Sequence, residues 1–224
     1  METISYDEYK TYMETHWKLS EHIGVVAPTG AGKSWIVRDL LLMKKHAVVI
    51  ATKSKDKTLD RYIKEDGFYR IDHWPPEWYQ HHVLVWKTAK ELGEFRPQQA
   101  LIYLVMNDIY KRGGYCLYFD DLYYVAETLK LKQPIQMLYT QVRSGGVSLI
   151  SSMQRPRWVP LEAVSQSTFL LVGRIRDEYD VERAAAGMGI SKKMLLAAIA
   201  ELDEYEFLLL QQSKEPLHIL RRQN

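Results

Sequence analysis

The chain has 224 residues, of which 46% are hydrophobic and 12% aromatic. This apolar content is sufficient for one packed domain and excludes a disordered chain. The net charge of +2 excludes a general basic excess, so any contact with DNA has to come from local patches or from several copies of the chain. One cysteine, Cys116, excludes an internal disulfide framework and suits a reducing compartment.

No apolar run reaches about 18 residues, and no basic-then-apolar signal is found at the N-terminus. We therefore expect a soluble, cytoplasmic protein without membrane insertion.

In chain order, residues 1–22 predict a short helix followed by an edge strand. Short apolar runs then predict buried strands at 46–52 and 115–119 and further strands at 147–153 and 168–172. Between them, 68–71 and 83–86 are strand-like pieces that Pro75-Pro76 keeps apart. Helical periodicity predicts helices at 35–43, 59–63, 95–112, 122–131, 135–142, 180–186 and 194–202. Pro134 is expected to separate the fourth helix from the fifth, and Ser191 to cap the last. Residues 207–211 and 217–220 predict a terminal hairpin.

Strands that alternate with helices indicate an α/β fold with a mainly parallel sheet flanked by helices. The whole chain, 1–224, is expected to form a single domain. Within it, 1–22 is the N-terminal helix and edge strand, 23–175 the nucleotide-binding core, and 176–224 the C-terminal helices and β-hairpin.

A glycine-rich turn interrupts the apolar run before 35–43, and residues 24–34 read Gly-Val-Val-Ala-Pro-Thr-Gly-Ala-Gly-Lys-Ser. A strand, such a turn and a helix are typical of a phosphate-binding P-loop. Lys33 is expected to reach the phosphates of ATP, and the Ser34 hydroxyl to bind Mg²⁺. The predicted nucleotide-binding residues are Pro28, Thr29, Gly30, Ala31, Gly32, Lys33, Ser34 and Trp35.

One position departs from the usual motif, because Ala27 stands where the first glycine is expected. An alanine keeps the turn only if its φ stays negative. The alternative interpretation is an ordinary strand–helix turn rich in glycine, followed by a chance Lys-Ser pair.

Two adjacent acids, Asp120 and Asp121, follow the predicted strand 115–119, where an open α/β sheet binds its ligand. Asp120 is expected to hold Mg²⁺, and Asp121 to act as general base on the attacking water. Alternatively, both acids only cap the helix that starts at Leu122. Gln154 ends the next strand, where an amide can orient water beside the terminal phosphate; the alternative is a loop glutamine bonded to backbone.

These three motifs, Ala-Pro-Thr-Gly-Ala-Gly-Lys-Ser, the strand ending in two acids, and Met-Gln-Arg-Pro after the following strand, resemble the FtsK–HerA superfamily. The resemblance covers about residues 20–175 and is closest to the genome-packaging ATPases of viruses and phages. It implies a RecA-like core and a pentameric or hexameric homo-oligomeric ring that uses ATP and Mg²⁺ to move double-stranded DNA. It also implies work in the host cytoplasm or in association with the virion, with a capsid or portal component as a further partner.

Two features depart from the family pattern. The second acid is commonly glutamate and here is Asp121, one methylene shorter, so the water has to sit closer or turnover is slow. No additional module for membrane anchoring or sequence reading is found, which disfavours a cell-division translocase.

A ring ATPase usually completes each site with an arginine from the adjacent subunit. Arg143, at a helix end beside glycines, is the predicted catalytic arginine, with Arg155 and Arg174 as further candidates and a surface salt bridge as the simpler role. Clusters of basic residues are candidate DNA contacts, although such runs usually form a solvated face. They are Lys53/Lys55/Lys57, Lys111-Arg112, Arg155/Arg157 and Lys192-Lys193.

The sequence therefore predicts a DNA-translocating ATPase in which Asp121, Gln154 and Arg143 are catalytic. Two other hypotheses stay open. One is a small-molecule or nucleotide kinase on a P-loop core. The other is an assembly factor that uses nucleotide only to hold a ring together.

Overall fold

A single ten-stranded sheet runs through the part of the chain that the computed structural model describes, residues 1–87, 91, 93–212 and 214–220. The last residues of the predicted domain, 221–224, lie outside it. The strands are β1 (Glu2–Ile4), β2 (His22–Val26), β3 (Ala47–Ile50), β4 (Tyr69–Ile71), β5 (His82–Val85), β6 (Cys116–Phe119), β7 (Ser148–Met153), β8 (Ser167–Val172), β9 (Phe207–Gln211) and β10 (Leu217–Ile219).

The order of the strands across the sheet is β1-β10-β9-β8-β2-β7-β6-β3-β5-β4. Every neighbouring pair is parallel except those of β9, which is antiparallel to both β8 and β10. The predicted α/β fold with a mainly parallel sheet and a C-terminal antiparallel pair is therefore confirmed.

Eight α-helices cover the two faces of this sheet in the described residues. They are α1 (Tyr6–His16), α2 (Lys33–Leu42), α3 (Lys57–Asp66), α4 (Arg96–Arg112), α5 (Lys132–Gln141), α6 (Glu162–Ser165), α7 (Glu178–Met188) and α8 (Lys192–Ala200). Alternate residues of each strand face opposite sides, so the apolar side chains form two clusters. One packs against α1, α2 and α3, and the other against α4 to α8. None of the described helices is both long and apolar enough to cross a membrane.

The N-terminal prediction has the two elements in the wrong order. The edge strand, β1, precedes the helix and pairs with β10 at the margin of the sheet. Ser5 determines where the helix starts, because it forms a capping box with Glu8. The Glu8 N–H donates to Ser5 Oγ (3.2 Å), and the Ser5 N–H donates to Glu8 Oε2 (2.7 Å). The helix therefore starts immediately after β1, and the chain then leads directly into the central strand β2.

Pro134 does not separate two helices as predicted. It lies in the first turn of α5, which begins at Lys132, and a proline is tolerated there because the first turn needs no intrahelical N–H donor. The predicted helix at 122–131 is also irregular, because after its first residues it becomes a π-helical turn at Tyr124–Thr128. The predicted cap of α8 is confirmed, since Ser191 accepts a hydrogen bond from the Met194 N–H.

Candidate nucleotide-binding site

The glycine-rich turn between β2 and α2 has the backbone of a P-loop. Gly30 and Gly32 have φ of 81° and 86°, a region that glycine enters without steric cost. Ala27 has no positive φ, as its side chain requires. Within the described residues, the backbone N–H groups of Gly30, Gly32, Lys33 and Ser34 donate no hydrogen bond. These donors at the N-terminus of α2 form an anion-binding nest.

The Lys33 ammonium folds back over this turn. It donates to the carbonyl oxygens of Ala27 (2.7 Å) and Pro28 (2.8 Å). Burial, with a smaller contribution from the nearby Lys53 ammonium, lowers the pKa of Lys33 to about 8, although the Asp120 carboxylate opposes the shift. A phosphate anion in the turn would favour the charged form of Lys33.

Asp120 joins the carboxyl end of β6 to the P-loop. Its Oδ1 accepts a hydrogen bond from the Ser34 hydroxyl at 3.1 Å, so the structure brings the two predicted metal ligands into direct contact. The Asp120 side chain is only 2% exposed. Burial raises its pKa above the ordinary value for an aspartate, although the Lys53 ammonium opposes this.

Two buried hydroxyl groups support Asp120, and the sequence reasoning missed both. The Tyr118 hydroxyl donates to Asp120 Oδ1 (3.2 Å) and lies 2.8 Å from Ser152 Oγ. Tyr118 is two residues before Asp120 on the chain, so the alternation of a strand places both side chains on one face. That spacing is a signal which the sequence offers, but the contribution of Ser152 depends on the pairing of β6 with β7.

Asp121 has two possible uses in this structure. Its Oδ1 accepts a hydrogen bond from the Tyr124 N–H (3.1 Å), so it caps the helix that follows, as the simpler interpretation of the sequence has it. The same side chain also lines the cavity above the P-loop. The cap orients the carboxylate and leaves Oδ2 without a hydrogen bond among the described residues.

The carboxyl end of β7 brings Gln154 between the P-loop and the acids, because β7 pairs with β2 on one side and β6 on the other. The Gln154 side chain is exposed to the cavity and forms no hydrogen bond with the described residues. It is therefore not bound to backbone as the alternative interpretation proposed.

A cavity of about 1190 Å³ lies above these groups, which is ample for a nucleotide. The predicted site residues that line it are Thr29, Gly30, Gly32, Lys33, Ser34, Trp35, Asp120, Asp121 and Gln154. Pro28 and Ala31 belong to the same turn, in which the Ala31 N–H donates to the Pro28 carbonyl (3.3 Å).

Arg143 lies elsewhere. It belongs to the 3₁₀ turn Val142–Gly145 before β7, at the amino ends of the central strands, whereas the P-loop lies at their carboxyl ends. Its guanidinium donates to the Gln166 carbonyl at 2.8 Å.

The donor set fits a magnesium ion with its water shell. Oxygen ligands from one carboxylate and one hydroxyl are the type that Mg²⁺ takes in nucleotide sites. Asp120 Oδ2 is buried and accepts no hydrogen bond from the described residues. Among the described residues the Lys53 ammonium is the cation near this oxygen, at 3.5 Å, so the oxygen has room for a closer cation or for water. Ser34 Oγ and Asp120 would hold the metal.

Two further cavity residues were not predicted as part of the site. The half-exposed Lys53 side chain places its ammonium 3.5 Å from Asp120 Oδ2, a contact that the neighbouring lysines do not make. Tyr205, with φ of 66°, places its ring 3.6 Å from where a Cβ on Gly32 would lie. Both contacts join parts of the chain that are distant in sequence, so no local pattern indicates them.

The fold has clear counterparts among solved structures. The genome-packaging NTPase B204 from Sulfolobus turreted icosahedral virus 2, in complex with AMPPCP, superposes with a TM-score of 0.66 at 19% identity over 91% of this chain and 98% of that chain. VirB4 of Thermoanaerobacter pseudethanolicus gives 0.66 at 12% identity over 91% and 89% of the two chains.

A third counterpart is the cytoplasmic domain of the Thermomonospora curvata Type VII secretion ATPase EccC, with a TM-score of 0.58 at 14% identity. It matches 88% of this chain but 25% of that one. No protein-family profile and no curated protein sequence matches this chain. At these identities the similarity establishes the fold alone. The fold is that of P-loop ATPases, and a viral genome-packaging NTPase is among the structures that share it.

Proposed function

We propose that this chain hydrolyses ATP and uses the energy to move double-stranded DNA, as the packaging motor subunit of a virus or phage in the FtsK–HerA superfamily. The observation that carries hydrolysis is the hydrogen bond from Ser34 to Asp120 at the floor of a cavity that also holds Asp121 and Gln154. The proposal that the chain moves DNA is supported by the fold that it shares with a genome-packaging NTPase and by the sequence motifs.

The residues divide the work of hydrolysis between them. The P-loop N–H groups bind the phosphates, and Lys33 exchanges its two carbonyl partners for phosphate oxygens. Magnesium, when bound, neutralises charge on the phosphates. Asp121 accepts the proton of the attacking water through the oxygen that the cap leaves open, and the Gln154 amide orients that water.

The assembly is part of the same proposal. The chain forms a pentameric or hexameric ring, and an arginine of the adjacent subunit completes each site. Duplex DNA passes through the ring in the host cytoplasm or at the virion, where a capsid or portal component holds the motor. Adjacent acids that can activate a water molecule favour hydrolysis over transfer of the phosphoryl group to a second substrate.

The decisive experiment measures phosphate release from ATP with and without duplex DNA, together with the solution mass. We expect release that requires Mg²⁺, rises severalfold with DNA and comes from an oligomer. Lys33→Ala should abolish it. Asp121→Asn keeps the helix cap, because asparagine caps as well as aspartate, but removes the base. Release should then fall by about a hundredfold or more while nucleotide still binds.

Other outcomes would contradict the proposal in distinguishable ways. Equal release with and without DNA from a monomer would exclude the translocase. A phosphorylated small product without free phosphate would indicate a kinase. Loss of assembly in Lys33→Ala, with no turnover in the wild type, would indicate an assembly factor.

A further inference from the structure

Lys53 lies between two carboxylates at the edge of the nucleotide cavity. Its Nζ is 3.1 Å from Asp56 Oδ2 and 3.5 Å from Asp120 Oδ2. The neighbouring Lys55 and Lys57 are exposed and form no ion pair with the described residues. Of the three lysines that the sequence groups together, only Lys53 thus turns towards the site.

The surroundings of Lys53 hold it in this position. The buried Trp86 indole N–H donates to the Lys53 carbonyl oxygen at 2.7 Å, which fixes the backbone. Asp56 is fixed in turn, because its Oδ1 caps α3 by accepting from the Thr58 and Leu59 N–H groups (2.9 and 3.2 Å). Burial alone would lower the pKa of Lys53, but Asp120 and Asp56 raise it, so the ammonium stays charged.

The contact with Asp120 involves the oxygen that a metal needs. Asp120 Oδ1 already accepts from Ser34 and Tyr118, whereas Oδ2 has only the ammonium nearby and no hydrogen bond among the described residues. An ammonium and a divalent cation repel each other at close range. Pairing of one of them with Oδ2 therefore disfavours pairing of the other.

We propose that Lys53 is a positioning residue whose ammonium balances Asp120 in the metal-free site and moves to Asp56 when Mg²⁺ binds with nucleotide. The inference rests on the proposed nucleotide site but concerns a residue outside its motifs. Asp56 provides the second carboxylate, already within 3.1 Å, so the displaced ammonium keeps a partner.

The test measures how much Mg²⁺ half-saturates binding of a fluorescent ADP analogue. Lys53→Met removes the competing cation, so the Mg²⁺ concentration at half-saturation should fall by about fivefold or more. Lys53→Arg keeps the cation and should stay within about twofold of the wild type. Lys55→Met, the matched control on an exposed neighbour, should have no effect.

A second variant should shift the same quantity in the opposite direction. Asp56→Asn still caps α3 but leaves Lys53 with Asp120 as its only carboxylate. The ammonium is then held more firmly at Oδ2, and the Mg²⁺ requirement should rise by about threefold or more. This variant keeps the test decisive if Lys53→Met folds poorly.

A readout without nucleotide completes the design. In metal-free buffer Lys53→Met should unfold at a lower temperature than the wild type, because a buried carboxylate loses its counter-ion. Adding Mg²⁺ alone should raise the unfolding temperature of Lys53→Met more than that of the wild type.

An unchanged Mg²⁺ requirement in both Lys53→Met and Asp56→Asn would overturn the proposal. Weaker binding of duplex DNA by Lys53→Met, with the same Mg²⁺ requirement, would instead assign Lys53 to a DNA contact. Failure of the wild type to bind the ADP analogue with Mg²⁺ would refute the nucleotide site itself, which is a different result.

Discussion

His22, at the start of β2, is fully buried, and the contacts around it require its neutral form. The Leu149 N–H donates to His22 Nδ1 at 3.1 Å, so Nδ1 has to be an acceptor without a proton. Burial lowers the pKa of His22 from 6.5 to about 4, and the Arg143 guanidinium contributes to the same shift. Protonation would set one N–H against another in a dry environment.

This shift makes folding stability depend on pH in one direction. The unfolded chain takes up a proton at His22 near pH 6.5, whereas the folded chain does so only near pH 4. The stability is therefore complete above pH 6.5 and is lost as the pH falls towards 4. The loss amounts to about 3 kcal/mol of the free energy of unfolding.

We predict that His22→Asn flattens this pH dependence. The asparagine oxygen can replace Nδ1 as the acceptor for Leu149 but does not titrate. The variant should be about 1–2 kcal/mol less stable at neutral pH because it leaves a void. Because the wild type loses about 3 kcal/mol over this range, that deficit should close near pH 5, and at pH 4 the variant should be the more stable protein. Urea unfolding of both proteins across this pH range tests the prediction. His73→Asn, at an exposed histidine, is the control. Stability curves that run parallel for His22→Asn and the wild type would contradict the prediction.

At this scale the sequence indicated the residues of the motifs but not their partners. Asp120 and Ser34 could be placed together because both motifs are local and strand ends in a parallel sheet share one edge. Lys53 could not, because a lysine in a polar loop looks the same whether it faces water or a carboxylate. Its contact depends on the pairing of β3 with β6, which no local pattern gives.

Among the elements, β8 packs beside β2 and contacts the start of the P-loop. Gly173 follows β8 and donates its N–H to the Val26 carbonyl at 2.8 Å. A Cβ on Gly173 would lie 2.8 Å from the Cβ of Ala27, which is fully buried. The alanine that replaces the first P-loop glycine is thus accommodated by a glycine on the neighbouring strand.

We predict that these two positions are coupled. Gly173→Ala should cost about 1–3 kcal/mol and weaken nucleotide binding, because a methyl group pushes against the base of the P-loop. Adding Ala27→Gly removes the opposing methyl group and should recover most of both losses. A double-mutant cycle in denaturant should give a coupling of about 1 kcal/mol or more. Simple additivity of the two changes would show that the methyl groups do not meet.

The elements themselves were largely predictable where their apolar periodicity is long, as in α4 and β7. The failures have local causes. Pro134 was interpreted as a helix boundary, but a proline in a first turn and one after a helix give the same sequence signal. The edge strand within 1–22 was placed after the helix and not before it, because the three-residue β1 exposes two of its residues and so lacks an apolar run.

At the scale of the whole molecule, the edge of the sheet that carries the P-loop also presents aromatic side chains to solvent. Trp158 and Tyr179 are 47% and 68% exposed, and the Arg157 guanidinium lies 5.5 and 5.7 Å from their ring centres. Exposed aromatic and arginine side chains are enriched at protein interfaces. If the chain forms the proposed ring, we expect this end of the sheet to contact the neighbouring subunit.

The same consideration bears on the arginine that, in the proposed ring, an adjacent subunit contributes to each site. Arg143 lies before β7, at the amino ends of the strands. The six-residue strand β7 separates it by about 20 Å from the carboxyl ends, where the P-loop lies. Arg174 follows β8 at the P-loop edge, is exposed and forms no ion pair with the described residues. Arg155 lies at that edge too, but it pairs with Asp177 at 3.1 Å. The geometry favours Arg174 over Arg143 for the role in trans.

We predict that Arg174→Ala lowers the ATPase rate by at least about a hundredfold without weakening nucleotide binding, whereas Arg143→Ala keeps most of the rate. If Arg174 acts on the neighbouring subunit, mixing Arg174→Ala with Lys33→Ala should restore activity. Each mutant lacks a different half of the site, and random mixing in a ring places about a quarter of the sites between compatible neighbours. The mixture should therefore reach about a quarter of the wild-type rate. A mixture as inactive as its components would exclude a role in trans, and complementation by Arg143→Ala instead would assign that role to Arg143.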